Sequence, residues 1–344
     1  MQEPFVNNIK FKGEPCVKMN VGKYSCVIAP RIGGNCIRLF DCENMIELVN
    51  FDNKIPMKWI RYPSILCGMP AMLFPNRLED GIINTSDASY EFPVNEKNLN
   101  NYIHGFIHSR KYHIVSSGVN ADRKTAKLVL EYNYDENDPF YTYFPVRFDV
   151  KMIYTLTEEG LLFNYKIKNL SEVMMPIGVG NHTSIRAPFV KHGKKKNIRI
   201  QMPVTKRIEL NDRFLPTGKF LPVTDYEKQY VDGTMMPVFH DIDSEMYEIG
   251  TMTTPLGKEI HGLVVTDIKH GKSIVYEVDD LYKYFVMWNC GGEASFFCPE
   301  PISWMINAPN VDLPDEITGY RELAPGEIFE AWQKLYTEIT PGTN

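Results

Sequence analysis

Apolar and polar residues alternate along several short stretches of the chain. In "VRFDVKMIY", Val146, Phe148, Val150 and Met152 alternate with Arg147, Asp149 and Lys151. In "LFNYKIKN", Phe163, Tyr165 and Ile167 alternate with Asn164, Lys166 and Lys168. A period of two turns one set toward a buried face and the other toward water. The turn-like "TEEG" lies between the two runs, so they read as a hairpin. "AKLVLEYNY", "HGLVVTDI", "SIVYEVD" and "YFVMWNC" read as further short strands, and no long segment has helical periodicity. Gly and Pro, 23 of each, punctuate the chain at short intervals. The pattern predicts an all-β protein, a large antiparallel β-sandwich. With no linker, low-complexity stretch or clear internal repeat, a single domain over residues 1–344 is expected.

Length and composition narrow the function. A chain of 344 residues can bury a sizeable core. The formal net charge of -6, with no long basic run, argues against a nucleic-acid partner. The densest basic segment, "KHGKKKNIR", reads as a solvated loop. No run of about 18 apolar residues occurs, so no membrane-spanning helix is expected. The opening "MQEPFVNNIKFKGEPCVKMN" lacks the basic-then-apolar pattern of a secretory signal. The seven cysteines are scattered, with no Cys-x-x-Cys pair, and fit free thiols in a cytoplasmic protein.

The stretch "NYIHGFIH" sets His104 and His108 four residues apart, a spacing that can hold a metal on a helix. Its β-branched and aromatic composition favours an extended chain, in which the two side chains stand about 13 Å apart at about 3.3 Å per residue. That is too far to share a zinc ion at roughly 2.0–2.1 Å from each ligand. No metal site is expected, and His104 beside Gly105 suits a turn that aims a side chain into a cleft.

Four other places carry candidate chemistry. "LFPNRLEDG" holds Asn76 and Arg77 just after Pro75, and "GVGNHTSIRAPF" holds His182 in a glycine-punctuated turn. "FHDIDSEMY" holds Asp241 and Asp243, and "FFCPEPISWMINAPN" holds Glu300 between two prolines. Taken alone, each has a plainer reading: Glu300 an exposed loop carboxylate, Arg77 a surface partner of Glu79 or Asp80, His182 a turn cap. In this order, Pro75-Asn76-Arg77, Asn-x-x-His-Gly, Gly-x-x-Asn-His, an aspartate and Cys-x-Glu-Pro, the chain resembles the aldose 1-epimerase (galactose mutarotase) family, over roughly Ile32 to Asn310.

The resemblance implies a very large antiparallel β-sandwich with a monosaccharide-sized substrate in an open cleft. It implies Glu300 as general base and His182 as general acid. His104 and Arg77 would bind sugar hydroxyls, joined by Asn76 and by Asp243, with Asp241 fitting the last position equally. No metal or cofactor is implied, because opening a cyclic hemiacetal needs only proton movement. The chain departs from the pattern after His182, where Thr183, Ser184 and Ile185 replace proline and aromatics and alter one wall of the cleft. A binding protein on the same scaffold, or an enzyme for a phosphorylated hexose, would share most of these residues. Basic side chains gathered beside His182 would mark the phosphosugar. Oligomeric state is not legible here. Thiol titration of the denatured, unreduced protein is expected to count all seven cysteines; five or fewer would point to a disulfide.

Overall fold

A computed structural model describes residues 3–61 and 65–341. The predicted hairpin is present as the strands Phe148–Thr157 and Gly160–Asn169, paired antiparallel from Phe148↔Asn169 to Thr157↔Gly160. Phe148, Val150, Met152, Phe163, Tyr165 and Ile167 are all buried, as their alternation requires. Val146 is buried too, although it precedes the strand.

This hairpin lies within a nine-stranded sheet. One end runs through Ala126–Tyr134 to the edge strand His113–Val119; the other runs through Ile328–Ile339, Lys272–Val278 and Glu259–Asp267 to Ile198–Gln201, with Thr251–Thr253 also pairing Glu259–Asp267. A second, eight-stranded sheet is ordered Pro216–Leu221, Val204–Leu210, Glu245–Ile249, Tyr284–Trp288, Phe296–Ile302, Gly180–Asn181 and Ala71–Met72, with Ile185–Arg186 also pairing Phe296–Ile302. The sheets face each other across a continuous core that includes Tyr165, Phe163 and Tyr276 from the first and Phe285, Met287 and Phe297 from the second. Five N-terminal strands, from Phe5–Phe11 to Ile46–Glu47, form a further antiparallel sheet. The architecture is the antiparallel sandwich expected from the alternation. The α-helices are short, Met57–Arg61, Asp225–Val231 and Asp315–Thr318, and among the described residues none is long and apolar enough to cross a membrane.

The "NYIHGFIH" stretch departs from the extended chain expected of it. The strand stops at Ile103, His104 and Gly105 both take left-handed backbone (φ 67° and 63°), and a short 3-10 turn follows at Ile107–Ser109. The cause is close backbone approach. A Cβ on Gly105 would sit 1.9 Å from the Leu73 carbonyl oxygen, so only glycine lets these chains meet. Gly105→Ala is therefore expected to destabilise the fold by more than about 3 kcal/mol in chemical denaturation. Gly118→Ala on the exposed edge strand, where a Cβ meets nothing within 4 Å, is expected to stay within about 0.5 kcal/mol of the parent. Similar losses at both positions would refute the steric account.

Candidate active site

The left-handed turn matters because of its neighbour. Asn101–Ile103 pairs antiparallel with Arg77–Glu79, Ile103 opposite Arg77. His104 and Asn76 are therefore the next residues beyond one end of the ribbon, and the His104 N–H donates to the Asn76 carbonyl at 2.9 Å. Asn76 is left-handed as well (φ 57°), a conformation Asn tolerates better than most residues. The ribbon end thus presents Asn76, Arg77 and His104 side by side.

Glu300 reaches the same place from the second sheet. It is not in a loop but in the middle of the strand Phe296–Ile302, opposite Val286. Pro299 and Pro301 lack N–H groups, so Met287↔Pro299 and Phe285↔Pro301 cannot be hydrogen-bonded pairs; the ladder runs through the alternate residues. The absent donors fall on the strand's other edge. There pairing is limited to Gly180 at one end and Ile185–Arg186 at the other, and residues 181–184 bulge away. His182 sits in that bulge.

The bulge is tied down on all sides. The Asn181 side-chain oxygen accepts from the Tyr165 hydroxyl and the Gln333 amide at 2.9 Å each, and its amide donates to the Met69 carbonyl at 3.1 Å. The His182 N–H donates to the Pro70 carbonyl at 2.9 Å. Thr183 meets the Tyr276 hydroxyl at 2.8 Å, and Ser184 lies 3.4 Å from the Cys298 sulfur. The residues at the departure from the family pattern are thus bound into the protein interior.

These elements bring the two candidate proton carriers together. His182 Nε2 lies 3.1 Å from Glu300 Oε1, with the residues only 3% and 2% exposed. The Asn76 amide donates to Glu300 Oε2 at 3.4 Å. The His104 ring stands perpendicular to His182 at 5.0 Å, with Nδ1 3.1 Å from the Met72 sulfur. Trp288 approaches His182 from another side at 5.8 Å. Together with Ile65, Arg77, Ile103 and Ser244, these residues line a cavity of ≈ 240 Å³. The His182 ring is buried, and the neighbouring backbone of Ile65 acts on it as a hydrogen-bond partner that favours its charged form.

Burial sets the electrostatics. It pushes the Glu300 carboxyl up to about 8, while the Arg77 charge and the Asn76 hydrogen bond pull the other way. Burial also pulls the His182 imidazole down to about 4 and His104 well below its ordinary range. Both shifts favour, at neutral pH, a protonated Glu300 facing a neutral imidazole.

Arg77 is buried, and its partner is neither Glu79 nor Asp80. Its Nε and one terminal nitrogen grip Glu96 at 2.9 Å each, the other terminal nitrogen donates to Ser244 Oγ at 2.9 Å, and Phe214 covers the guanidinium face at 4.8 Å. Glu79 and Asp80 pair with Arg213 instead. Asp241 and Asp243 are both exposed and neither lines this cavity; Asp243 lines the next one, and Ser244 is the residue that enters. Trp288 is in the cavity wall, whereas Trp304, near Glu300 in sequence, is fully buried and stacks on Phe74. Ser244, Ile65, Ile103 and the clamp residue Glu96 escaped the sequence reading, though Ser244 is next to the aspartate it had singled out. The residues that reasoning placed in the cleft, Asn76, Arg77, His104, His182 and Glu300, come together; Asp243 does not.

Residues 16–336 match the aldose 1-epimerase family. A galactose mutarotase-like protein from Clostridium acetobutylicum superposes with a TM-score of 0.94 at 29% identity, over 98% of this chain and 99% of that one. Galactose 1-epimerase from Lactobacillus acidophilus superposes at 0.71 with 11% identity, over 98% and 99%. An aldose epimerase homologue from C. elegans superposes at 0.68 with 15% identity, over 97% and 99%. The last two likenesses concern the fold alone.

A carboxyl raised above its unfolded value loses stability as pH rises from about 4.5 through about 8, because the unfolded chain releases that proton more readily. Glu300→Gln removes this penalty. It is expected to melt above the parent at pH 9 and to show no gain at pH 4; a gain independent of pH would mean the carboxyl is not buried as described.

Proposed function

The chain belongs to the aldose 1-epimerase family, and from that premise we propose that it interconverts the α and β anomers of a neutral aldose, with Glu300 and His182 as the proton carriers. The observation that carries the reading is the 3.1 Å contact between a buried carboxyl and a buried imidazole on the wall of a sugar-sized cavity. In the proposed reaction the sugar replaces that contact, its C1 hydroxyl taking Glu300 and its ring oxygen taking His182. The pair's one proton first passes from Glu300 to His182 across their contact; Glu300 then accepts the hydroxyl proton, the C1–O5 bond breaks, and O5 receives a proton from His182 while C1=O1 forms. After half a turn about C1–C2 the same steps run in reverse on the other face. The pair begins and ends with one proton, so no cofactor need be regenerated.

The charge distribution supports a neutral rather than a phosphorylated sugar. Among the described residues lining the cavity, Arg77 is the sole Arg or Lys, and Glu96 already balances it. Arg77, Asn76 and His104 supply donors and acceptors for hydroxyls away from C1. The electrostatics support the ring-opened state. Burial favours the proton on Glu300, the arrangement reached once the C1 hydroxyl has given up its proton. The same preference holds before the sugar is engaged, so moving the proton from Glu300 to His182 is part of the barrier to opening.

Two measurements test the proposal. Glu300→Gln and His182→Asn should each slow anomer exchange, read by polarimetry or exchange NMR, by about 10²–10⁴-fold. The double variant should be far less than multiplicatively worse, since the groups act in one transfer. The rate should be highest while the pair holds one proton, between about 4 and about 8, falling below as both groups protonate and above as both deprotonate. Parental turnover by Glu300→Gln, or a rate still rising above pH 9, would refute the mechanism.

A further inference from the structure

Glu14, Arg31, Ile32, Arg61, Ser109 and Lys111 line a cavity of ≈ 360 Å³ that shares no lining residue with the reactive one. We propose that this cavity is an anion site, and that its ligand is inorganic phosphate or the phosphate group of a small monoester. The proposal stands apart from the reading of Glu300 and His182 and does not depend on it.

Charge points to the ligand. The chain has a formal net charge of -6, yet here three cations, Arg31, Arg61 and Lys111, meet one carboxylate, Glu14. Glu14 is already taken, because Arg61 Nη2 holds it at 2.6 Å. The Glu14 side chain is 8% exposed and that of Arg61 57%, so the guanidinium, more than the carboxylate, faces an incoming ligand. Arg31 and Lys111 join no ion pair among the described residues. Ser109 adds little, since its hydroxyl already donates to the Phe106 carbonyl at 2.9 Å.

The backbone sets the two unpaired cations against each other. The Tyr112 N–H donates to the Pro30 carbonyl at 2.9 Å, and the Gly33 N–H donates to the Arg110 carbonyl at 2.8 Å. Between these bonds lie Arg31 and Ile32 on one segment and Lys111 on the other. The close approach is built in: Gly33 is left-handed (φ 60°), and a Cβ there would sit 2.1 Å from the His108 carbonyl oxygen. Like charges held across paired backbone repel, and an anion between them turns that repulsion into attraction. Because the backbone already brings the two residues together, binding has only side chains to order. A phosphate monoester carries about -1.5 to -2 charge at neutral pH, which matches two unpaired cations. Its oxygens suit both the planar fork of Arg31 and the point charge of Lys111. Ile32 is the one apolar residue in the described lining, so an apolar ligand body finds little surface here.

The test is titration calorimetry at low ionic strength with inorganic phosphate and with glycerol 3-phosphate. Arg31→Ala/Lys111→Ala removes both unpaired cations, which lie outside the reactive cavity. Lys194→Ala/Lys196→Ala removes two lysines from the basic "KHGKKKNIR" run and controls for diffuse attraction. All four positions are exposed, where substitutions cost little stability. The parent should bind at least one probe. The first double variant should weaken that binding by at least about tenfold, and the second should leave it unchanged. With that pattern, tighter binding of the ester identifies a monoester as the ligand class, and equal or weaker binding of the ester identifies free phosphate. No binding to the parent, binding unaltered by Arg31→Ala/Lys111→Ala, or equal losses in the two double variants would overturn the site.

Discussion

A carboxyl and an imidazole share one proton inside a protein that exposes neither. Left alone, each would cost several kcal/mol to bury charged. Facing each other at 3.1 Å, Glu300 and His182 can remain neutral together, and that constraint organises their surroundings. The two groups must come from separate segments, so the strand carrying Glu300 gives up pairing along one edge to make room for the bulge carrying His182. The bulge then requires Asn181, Thr183 and Ser184 to be tied into both sheets. A polar network of this kind works only when nearly every member is satisfied. Its anchors, Tyr165, Tyr276 and Gln333, stand on strands of the opposite sheet.

The rest of the cavity comes from a different device. A two-stranded ribbon ends in two left-handed residues, Asn76 and His104, which turn side chains inward from a rigid base rather than from a long loop. Gly105 makes this possible by admitting the Leu73 carbonyl where no side chain fits. The cavity is thus built from one central strand, one bulge and one ribbon end, each held by backbone pairing.

How much of this could be read from sequence depended on what fixed each residue. The strands Phe148–Thr157 and Gly160–Asn169 were legible because a half-buried strand writes its period directly into residue choice. Ala126–Tyr134 matched its predicted stretch end to end. The strand around Glu300 was not legible, because Pro299 and Pro301 read as breakers and the unpaired edge that tolerates them is a property of the assembled sheet. The Arg77 partner was misread for a similar reason: the chain folds back at Glu96, whose N–H bonds to the Asn101 carbonyl, and this long-range return carries Glu96 to Arg77. The candidate site came mainly from motif order. That order identified five residues the fold brings together, but it left Asp241 and Asp243 as alternatives, whereas the residue of that segment lining the cavity is Ser244.

The clamp between Arg77 and Glu96 has one further consequence. It holds in an ion pair the one guanidinium found among the described residues lining the cavity, so no unpaired cation among them faces a ligand. Under the proposed function the ligand carries no net charge, so its capture would be indifferent to ionic strength. A phosphorylated ligand would likewise meet no unpaired Arg or Lys among the described residues lining the cavity.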